Sequence, residues 1–432
     1  MAMRQSEMLR PQAFRRRRKR RRTLTFLVMA MALLIIGGAV GIAIALHHTV
    51  QQITVPVSAD VIPEARPVPV QPGQRVNILV LGLDEDRLRS DTMLLVSVDQ
   101  EARKVGVLQI PRDTRTLLAG KGAIGKINAA YAYGVGDKQF PANLRALKTV
   151  ESLLSVPVHY TVVIDPAGFR KTIDAIGGVP VNITRKMDYD DPVQNLHIHF
   201  MPGPQKLLGK QALEFVRWRH NNDGTGYPDQ DLGRIRAQQQ FLNNLLDELL
   251  KPANLPRLPG QIATMSVYVQ TTMEPSRLGA MAQLATKVNR QDIEFATLPG
   301  TDGFLPDQVT GQRVSYYLPD PEATHRLVDR LIGGIDPIEA AQVRVELVGG
   351  TQSLPVVSEM ATRLSADGFL VTSVSSAQEP PATTHIVASR DDATSQLVGR
   401  ALLLQGVTAE IIVQPSASAD IQIVLGRDMT AR

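Results

Sequence analysis

A chain of 432 residues, 44% of them hydrophobic, is long enough for two or three domains with sizeable cores. With no cysteine, disulfides, thiolate metal sites and cysteine nucleophiles are excluded. Of 47 basic and 42 acidic residues, ten basic and one acidic fall within residues 1–22; the remainder, 37 against 41, is slightly acidic, so no nucleic-acid surface is expected on the body.

The basic tail, residues 1–22, adjoins residues 23–46 (TLTFLVMAMALLIIGGAVGIAIAL), 24 positions without a charge. As a helix they span about 36 Å, enough for a hydrocarbon core of about 30 Å. A cleaved signal peptide has a shorter apolar core, about 7–15 residues, so an uncleaved transmembrane helix is expected. The arginines before it predict a cytoplasmic tail, with all that follows on the outer side of the membrane. Residues 47–74, rich in Pro, Val and Gln, read as an extended linker.

Residues 76–113 (VNILVLGLDEDRLRSDTMLLVSVDQEARKVGVLQIPRD) hold three strand-like runs, 76–81, 93–98 and 104–110. Paired as consecutive hairpins, they bring Asp84, Arg87, Arg89, Asp91 and Arg112 to one sheet edge. Two carboxylates among three guanidinium groups suit a divalent cation beside a phosphate. A salt-bridged surface loop is the competing reading.

Residues 120–134 read as a Gly-bounded loop containing Lys126. Residues 143–155 have helical spacing, with Leu144, Leu147, Val150 and Leu154 on one face and Pro157 as the stop. A strand at 159–164, a helix at 169–176 and a strand at 177–183 follow, so a mixed central sheet flanked by helices is expected. Residues 188–203 read as an acidic loop feeding a strand with His197 and His199 on one face; no third ligand is near in sequence, which disfavours a metal site. After a helix at 210–216, Arg217 and Arg219 share a side only if the backbone there is extended; otherwise one is exposed and one packed.

A further helix begins near Asp231, an N-cap candidate. Its apolar stripe is Ile235, Leu242, Leu245, Leu246 and Leu249. Gln238 and Arg234 lie on that stripe, so they must meet protein partners, a ligand or a polar cavity. Residues 251–334 offer a strand at 265–270, helices at 275–288 and 321–331, and no evident chemistry. From residue 343, strands and helices alternate in a small α/β unit without clustered catalytic residues.

The combination of GLD closing a strand, RSDT opening the next, IPRDT, KINAAYAYG, IDAIGGV, ALEFVRWRH and DLGR followed by QQQ resembles the LytR-CpsA-Psr family of bacterial envelope proteins. The C-terminal unit resembles the small domain appended to LytR-type members. The resulting division is a tail 1–22, a span 23–46, a linker 47–74, a catalytic domain 75–335 and a C-terminal domain 340–432. One departure is the short loop between GLD and RSD; another is Ala237, where members often carry arginine before the glutamine pair.

The resemblance implies transfer of a glycopolymer, teichoic acid or another, from a polyprenyl pyrophosphate carrier to peptidoglycan at the cytoplasmic membrane. It places Asp84 and Asp91 at a Mg²⁺ (or Mn²⁺) and, with Arg112, at the reaction centre. Arg89, Arg112, Arg217, Arg219, Arg234 and Gln238 would hold the pyrophosphate, with Arg87, Lys126 and Asp231 as further motif positions. A lipid pyrophosphate hydrolase and a non-catalytic wall-binding or regulatory protein are the alternatives.

Overall fold

The computed structural model describes residues 54–429, apart from 72–73, 193–195, 229, 250, 252–267, 286, 309–310, 351–353, 378, 389–392, 406 and 415–419. The basic tail and the apolar segment 23–46 lie outside the described residues. Among the described residues, no helix is long and apolar enough to cross a membrane. Where it is described, the Pro-rich stretch is no free linker. Val61 and Ala65 are buried, and the Val55 amide donates to the Thr271 carbonyl, because the apolar residues between the prolines find the domain's core.

The first strands are β1 (Val76–Leu83), β2 (Ser90–Val98) and β3 (Val105–Ile110), paired antiparallel as consecutive hairpins. The segment expected to be a loop at 120–134 forms a hairpin, β4 (Arg115–Leu118) and β5 (Ala123–Lys126), then one helical turn, α1 (Ala129–Ala132). Helix α2 (Ala142–Leu154) ends before Pro157, because Ser155 adopts the left-handed conformation at φ 54°. Strand β6 (Tyr160–Ile164) runs parallel to β1, and Asp165 caps α3 (Pro166–Ala175) by accepting the Gly168 amide at 2.7 Å.

Two ribbons follow. Strand β7 (Val179–Ile183) pairs with β10 (Gly203–Leu207), and the acidic segment expected to be a loop is itself a strand, β8 (Met187–Asp191), paired with β9 (Leu196–Phe200). Its alternation decides this: Met187 is buried while Asp190 is exposed, as a half-buried strand requires. Helices α4 (Gly209–Arg217) and α5 (Gln230–Leu249), strand β11 (Val269–Thr271) and helix α6 (Pro275–Ala285) come next.

Sequence periodicity missed β12 (Ile293–Thr297) and the hairpin β13 (Gly300–Pro306) with β14 (Arg313–Pro319). Strand β12 joins the far edge, parallel to β3, and completes a mixed sheet of order β11-β6-β1-β2-β3-β12. Helix α7 (Pro321–Val328) runs into a π-turn, Asp329–Gly333.

The sheet has two faces because successive side chains alternate. Leu79, Leu81, Met93, Leu95, Leu108 and Ile110 share one core cluster with Leu144, Leu147 and Val150 of α2. The intervening residues turn to the opposite face, beneath α3, α4 and α5.

The C-terminal unit opens with α8 (Pro337–Ala340) and β15 (Arg344–Gly350). It continues with α9 (Leu354–Ala366), β16 (Leu370–Ala377), β17 (His385–Ala388), α10 (Ala393–Leu404), β18 (Glu410–Val413) and β19 (Ile421–Val424). Its own sheet, ordered β16-β15-β19-β17-β18, carries a separate core. A buried polar network crosses to the first domain. Asp99 pairs with Arg75 at 3.4 Å and with Arg400 of α10 at 3.3 Å, and Ser97 Oγ donates to the Ile332 carbonyl at 2.8 Å.

Candidate functional site

The ends of β1 and β3 and the start of β2 lie at one end of the sheet, so the loops there converge. Asp84 closes the first loop. Its Oδ1 accepts the amides of Leu88 at 2.9 Å and Arg89 at 3.1 Å, which holds the carboxylate in one orientation. Asp91, near the start of β2, receives Nη1 of Arg112 at 2.5 Å. Asp113 then joins Arg112, at 3.6 Å, to Lys126 at the end of β5, at 2.8 Å. The result is an alternating chain of charge, Asp91–Arg112–Asp113–Lys126, along one rim.

The opposite rim comes from the helices. Arg217 is the last residue of α4; Trp218 then turns extended at ψ 134° and is buried, 1% exposed. Arg219 follows, and both arginines line the cavity. Glu85 Oε1 spans this rim, 3.4 Å from Arg217 Nη1 and 3.2 Å from Arg170 Nη1 of α3. On α5, Arg234 is buried and Gln238 Nε2 donates to the Val216 carbonyl at 2.8 Å, which ties α5 to the last turn of α4.

These groups open on a single cavity of about 1120 Å³. Its floor is the second face of the central sheet: Val80, Leu94, Val96, Val105 and Val107, with Ile293 and Phe295 from β12. Its roof includes Phe169 and Ile173 of α3, Val216 of α4, and Phe241, Leu242 and Leu245 of α5. From Arg112 at the charged end to Val105 at the other is seven residues of near-extended chain, about 23 Å. A deep apolar channel thus ends in a cluster of guanidinium and carboxylate groups. That combination suits an amphiphile with a long hydrocarbon tail and a multiply charged anionic head.

Residues 45–332 match the model of the LytR_cpsA_psr family. The chain belongs to that family. Residues 342–428 match a second model, described as LytR cell envelope-related transcriptional attenuator. The chain is 30% identical over 257 residues to the polyisoprenyl-teichoic acid–peptidoglycan teichoic acid transferase TagV of Bacillus subtilis (strain 168), covering 58% of this chain and 61% of TagV. To the corresponding transferase TagU of Bacillus cereus (strain ATCC 14579) it is 29% identical over 295 residues, 67% of this chain and 90% of TagU. The crystal structure of gbs0355 from Streptococcus agalactiae aligns with a TM-score of 0.50 at 25% identity, covering 60% of this chain and 88% of that one.

Within this LytR-CpsA-Psr domain, Asp84, Arg89, Asp91, Arg112, Lys126, Arg217, Arg219, Arg234 and Gln238 all line the one cavity. Arg87 is not among the lining residues. Its backbone is left-handed at φ 57°, and its exposed guanidinium turns to Asp165 at 2.8 Å. Asp231 is not the N-cap, because α5 begins at Gln230; its side chain, with those of Ile235 and Leu249, lies outside the described residues.

Sequence reading missed Glu85, Asp113, Asn128 and the β13–β14 hairpin, all of which reach the cavity. Asp113 stood beside Arg112 in the same motif and could have been found there. The hairpin carried no such signal. It supplies Tyr316, whose hydroxyl donates to Asp307 at 3.2 Å, and Tyr317, whose hydroxyl donates to the Leu298 carbonyl at 2.6 Å. Burial pushes the Tyr317 phenol up to about 12, so it stays protonated and holds that bond.

His197 and His199 line no part of the cavity. The hairpin sets them opposite acidic partners, with His197 Nδ1 2.5 Å from Asp190 and His199 Nδ1 2.8 Å from Asp188. The expectation that no third ligand is near is corrected: Asp190, seven residues before His197, pairs with it across the ribbon and completes a group of three metal-ligating side chains. All of these side chains are exposed, and the Asp188 bond raises the His199 pKa.

Proposed function

We propose that this chain transfers a glycopolymer from a polyprenyl pyrophosphate carrier to a hydroxyl of peptidoglycan, releasing polyprenyl phosphate. The observation that carries this reading is the continuity of one cavity from an apolar, sheet-floored channel to the arginine and carboxylate rim. Relatives whose names describe teichoic acid transfer to peptidoglycan support it. The prenyl chain lies along Val80, Val96, Val107 and Phe295, and the pyrophosphate meets Arg89, Arg112, Arg217, Arg219 and Arg234.

In the reaction the acceptor oxygen forms a bond to the phosphorus that carries the polymer, and the bond from that phosphorus to the bridging oxygen breaks. The electron pair leaves with polyprenyl phosphate. Asp84, held by two backbone amides, orients the acceptor hydroxyl and receives its proton. The guanidinium of Arg112, positioned by Asp91, stabilises charge gathering on the phosphoryl oxygens.

Asp84 and Asp91 each use Oδ1 in the bonds above, and among the described residues neither Oδ2 has a partner. Two carboxylate oxygens beside a diphosphate fit Mg²⁺ or Mn²⁺, which prefers one or two carboxylates plus substrate oxygens. Such an ion would neutralise pyrophosphate charge when bound. Residues 23–46 anchor the chain in the cytoplasmic membrane with the catalytic domain outside, where the carrier's prenyl chain is at hand.

The test uses the full chain in detergent with a prenyl pyrophosphate-linked oligosaccharide and peptidoglycan. Polymer attachment must accompany prenyl phosphate release. Equal release without acceptor would overturn the transferase reading in favour of a hydrolase.

A further inference from the structure

Away from the cavity, three metal-ligating side chains converge where the two domains meet. His325 lies on α7, Asp329 opens the π-turn that follows it, and Asp367 directly follows α9 of the C-terminal domain. One ligand atom from each lies within 4.8 Å of the others. His325 Nδ1 stands 2.7 Å from Asp329 Oδ2 and 3.9 Å from Asp367 Oδ1. The Asp367 side chain is only 4% exposed and that of Asp329 13%.

Two features do not fit an ordinary surface ion pair. Asp329 Oδ2 is buried and has no hydrogen-bond partner although the imidazole nitrogen is so near, so the two atoms approach without the alignment of a hydrogen bond. Atoms that converge on a common ion do this. Two carboxylates are also packed together in a site largely closed to water, an arrangement that demands a positive charge or a proton. Of the surroundings, Gln405, at the end of α10, donates to Asp367 Oδ2 at 3.2 Å, while Arg363 of α9 bonds Glu359 and reaches Asp367 only through longer-range attraction.

We propose that His325, Asp329 and Asp367 bind a divalent transition-metal ion of the zinc class, and that this ion clasps the C-terminal domain to the catalytic domain. Ligand atoms about 2 Å from a tetrahedral zinc stand roughly 3.3 Å from each other, and the two distances from His325 Nδ1 bracket that separation. A nitrogen with two carboxylate oxygens suits zinc better than magnesium or calcium, which take oxygen. Water completes the set.

The experiment titrates ZnCl₂ into the full chain, stripped with EDTA, in a H197A/H199A background that removes the exposed cluster of the β8–β9 ribbon. Bound zinc is counted by elemental analysis after gel filtration, and thermal unfolding is followed in parallel. One zinc per chain is expected, with a melting temperature that rises on zinc addition. H325A and D367N should each weaken binding by about tenfold or more and abolish that rise. Asp367→Asn removes one of two like charges, so the metal-free variant should melt no lower than its parent, which separates loss of the ligand from misfolding. Retention of zinc by both variants at the parent's affinity would overturn the proposal. So would a parent that binds no zinc while its stability rises as pH falls, since the carboxylates would then share a proton.

Discussion

Arg112 Nη1 lies 2.5 Å from Asp91 Oδ1, so the residue that follows β3 by two positions is fixed against the start of β2. Each group constrains the other before any substrate arrives. Loss of one preorganised charge donor costs about 10²–10³-fold in turnover, and Arg112→Ala is expected to fall in that range. Asp91→Asn keeps the shape but removes a hard ligand, so its residual activity should respond far less to Mg²⁺. Initial rates across a magnesium series check both; wild-type turnover in either variant would refute the assignment.

The cavity floor predicts a chain-length effect. Val96, Val107 and Phe295 are cross-strand neighbours in one row, so a bulky side chain at the middle position obstructs the channel. Val107→Trp should raise KM at least about tenfold for a long polyprenyl carrier and leave a carrier of two or three isoprene units little changed. Its overpacking cost of about 1–3 kcal/mol should leave the chain folded. Equal KM changes for both carriers would place the prenyl chain elsewhere.

Stability should fall in mild acid through His159. Burial lowers its pKa to about 4, and its Nδ1 accepts the Asn77 amide at 2.9 Å, a bond open only to the neutral ring. Above about pH 6.5 the ring is neutral in both folded and unfolded chains and makes no pH-dependent contribution. Between about 6.5 and 4 the unfolded chain takes up the proton first, so stability declines by on the order of 3 kcal/mol. Urea midpoints from pH 7.5 to 4.5 should show a shallower slope in His159→Gln.

Gly106 of β3 has no room for a methyl group. A Cβ there would strike the carbonyl of Leu331 in the π-turn, a backbone atom that cannot swing aside. Gly106→Ala is expected to cost at least about 1–3 kcal/mol by denaturant unfolding. An unchanged midpoint would mean that the π-turn does not bear on the sheet as described.

Much of the site was legible because it is local. Alternation within 76–113 decides which side chains share a sheet face, and hairpin pairing of three such strands carries Asp84, Asp91 and Arg112 to one end whatever lies around them. The strand and helix order of the C-terminal unit followed from the same periodicities. What the chain could not reveal in linear order depends on contacts between distant segments. Burial of Trp218 turns Arg217 and Arg219 to a common cavity, and insertion of β12 beside β3 adds Ile293 and Phe295 to its floor. Arg145, a charged side chain on α2, is buried against Asp137 and the Ala119 carbonyl, which distant loop residues bring to it. The sequence by itself determined which residues carry the charge and which strands present it. Only the tertiary structure decided that the charge opens onto one apolar channel, because a channel is the space left between a sheet face and helices whose contacts span more than a hundred residues.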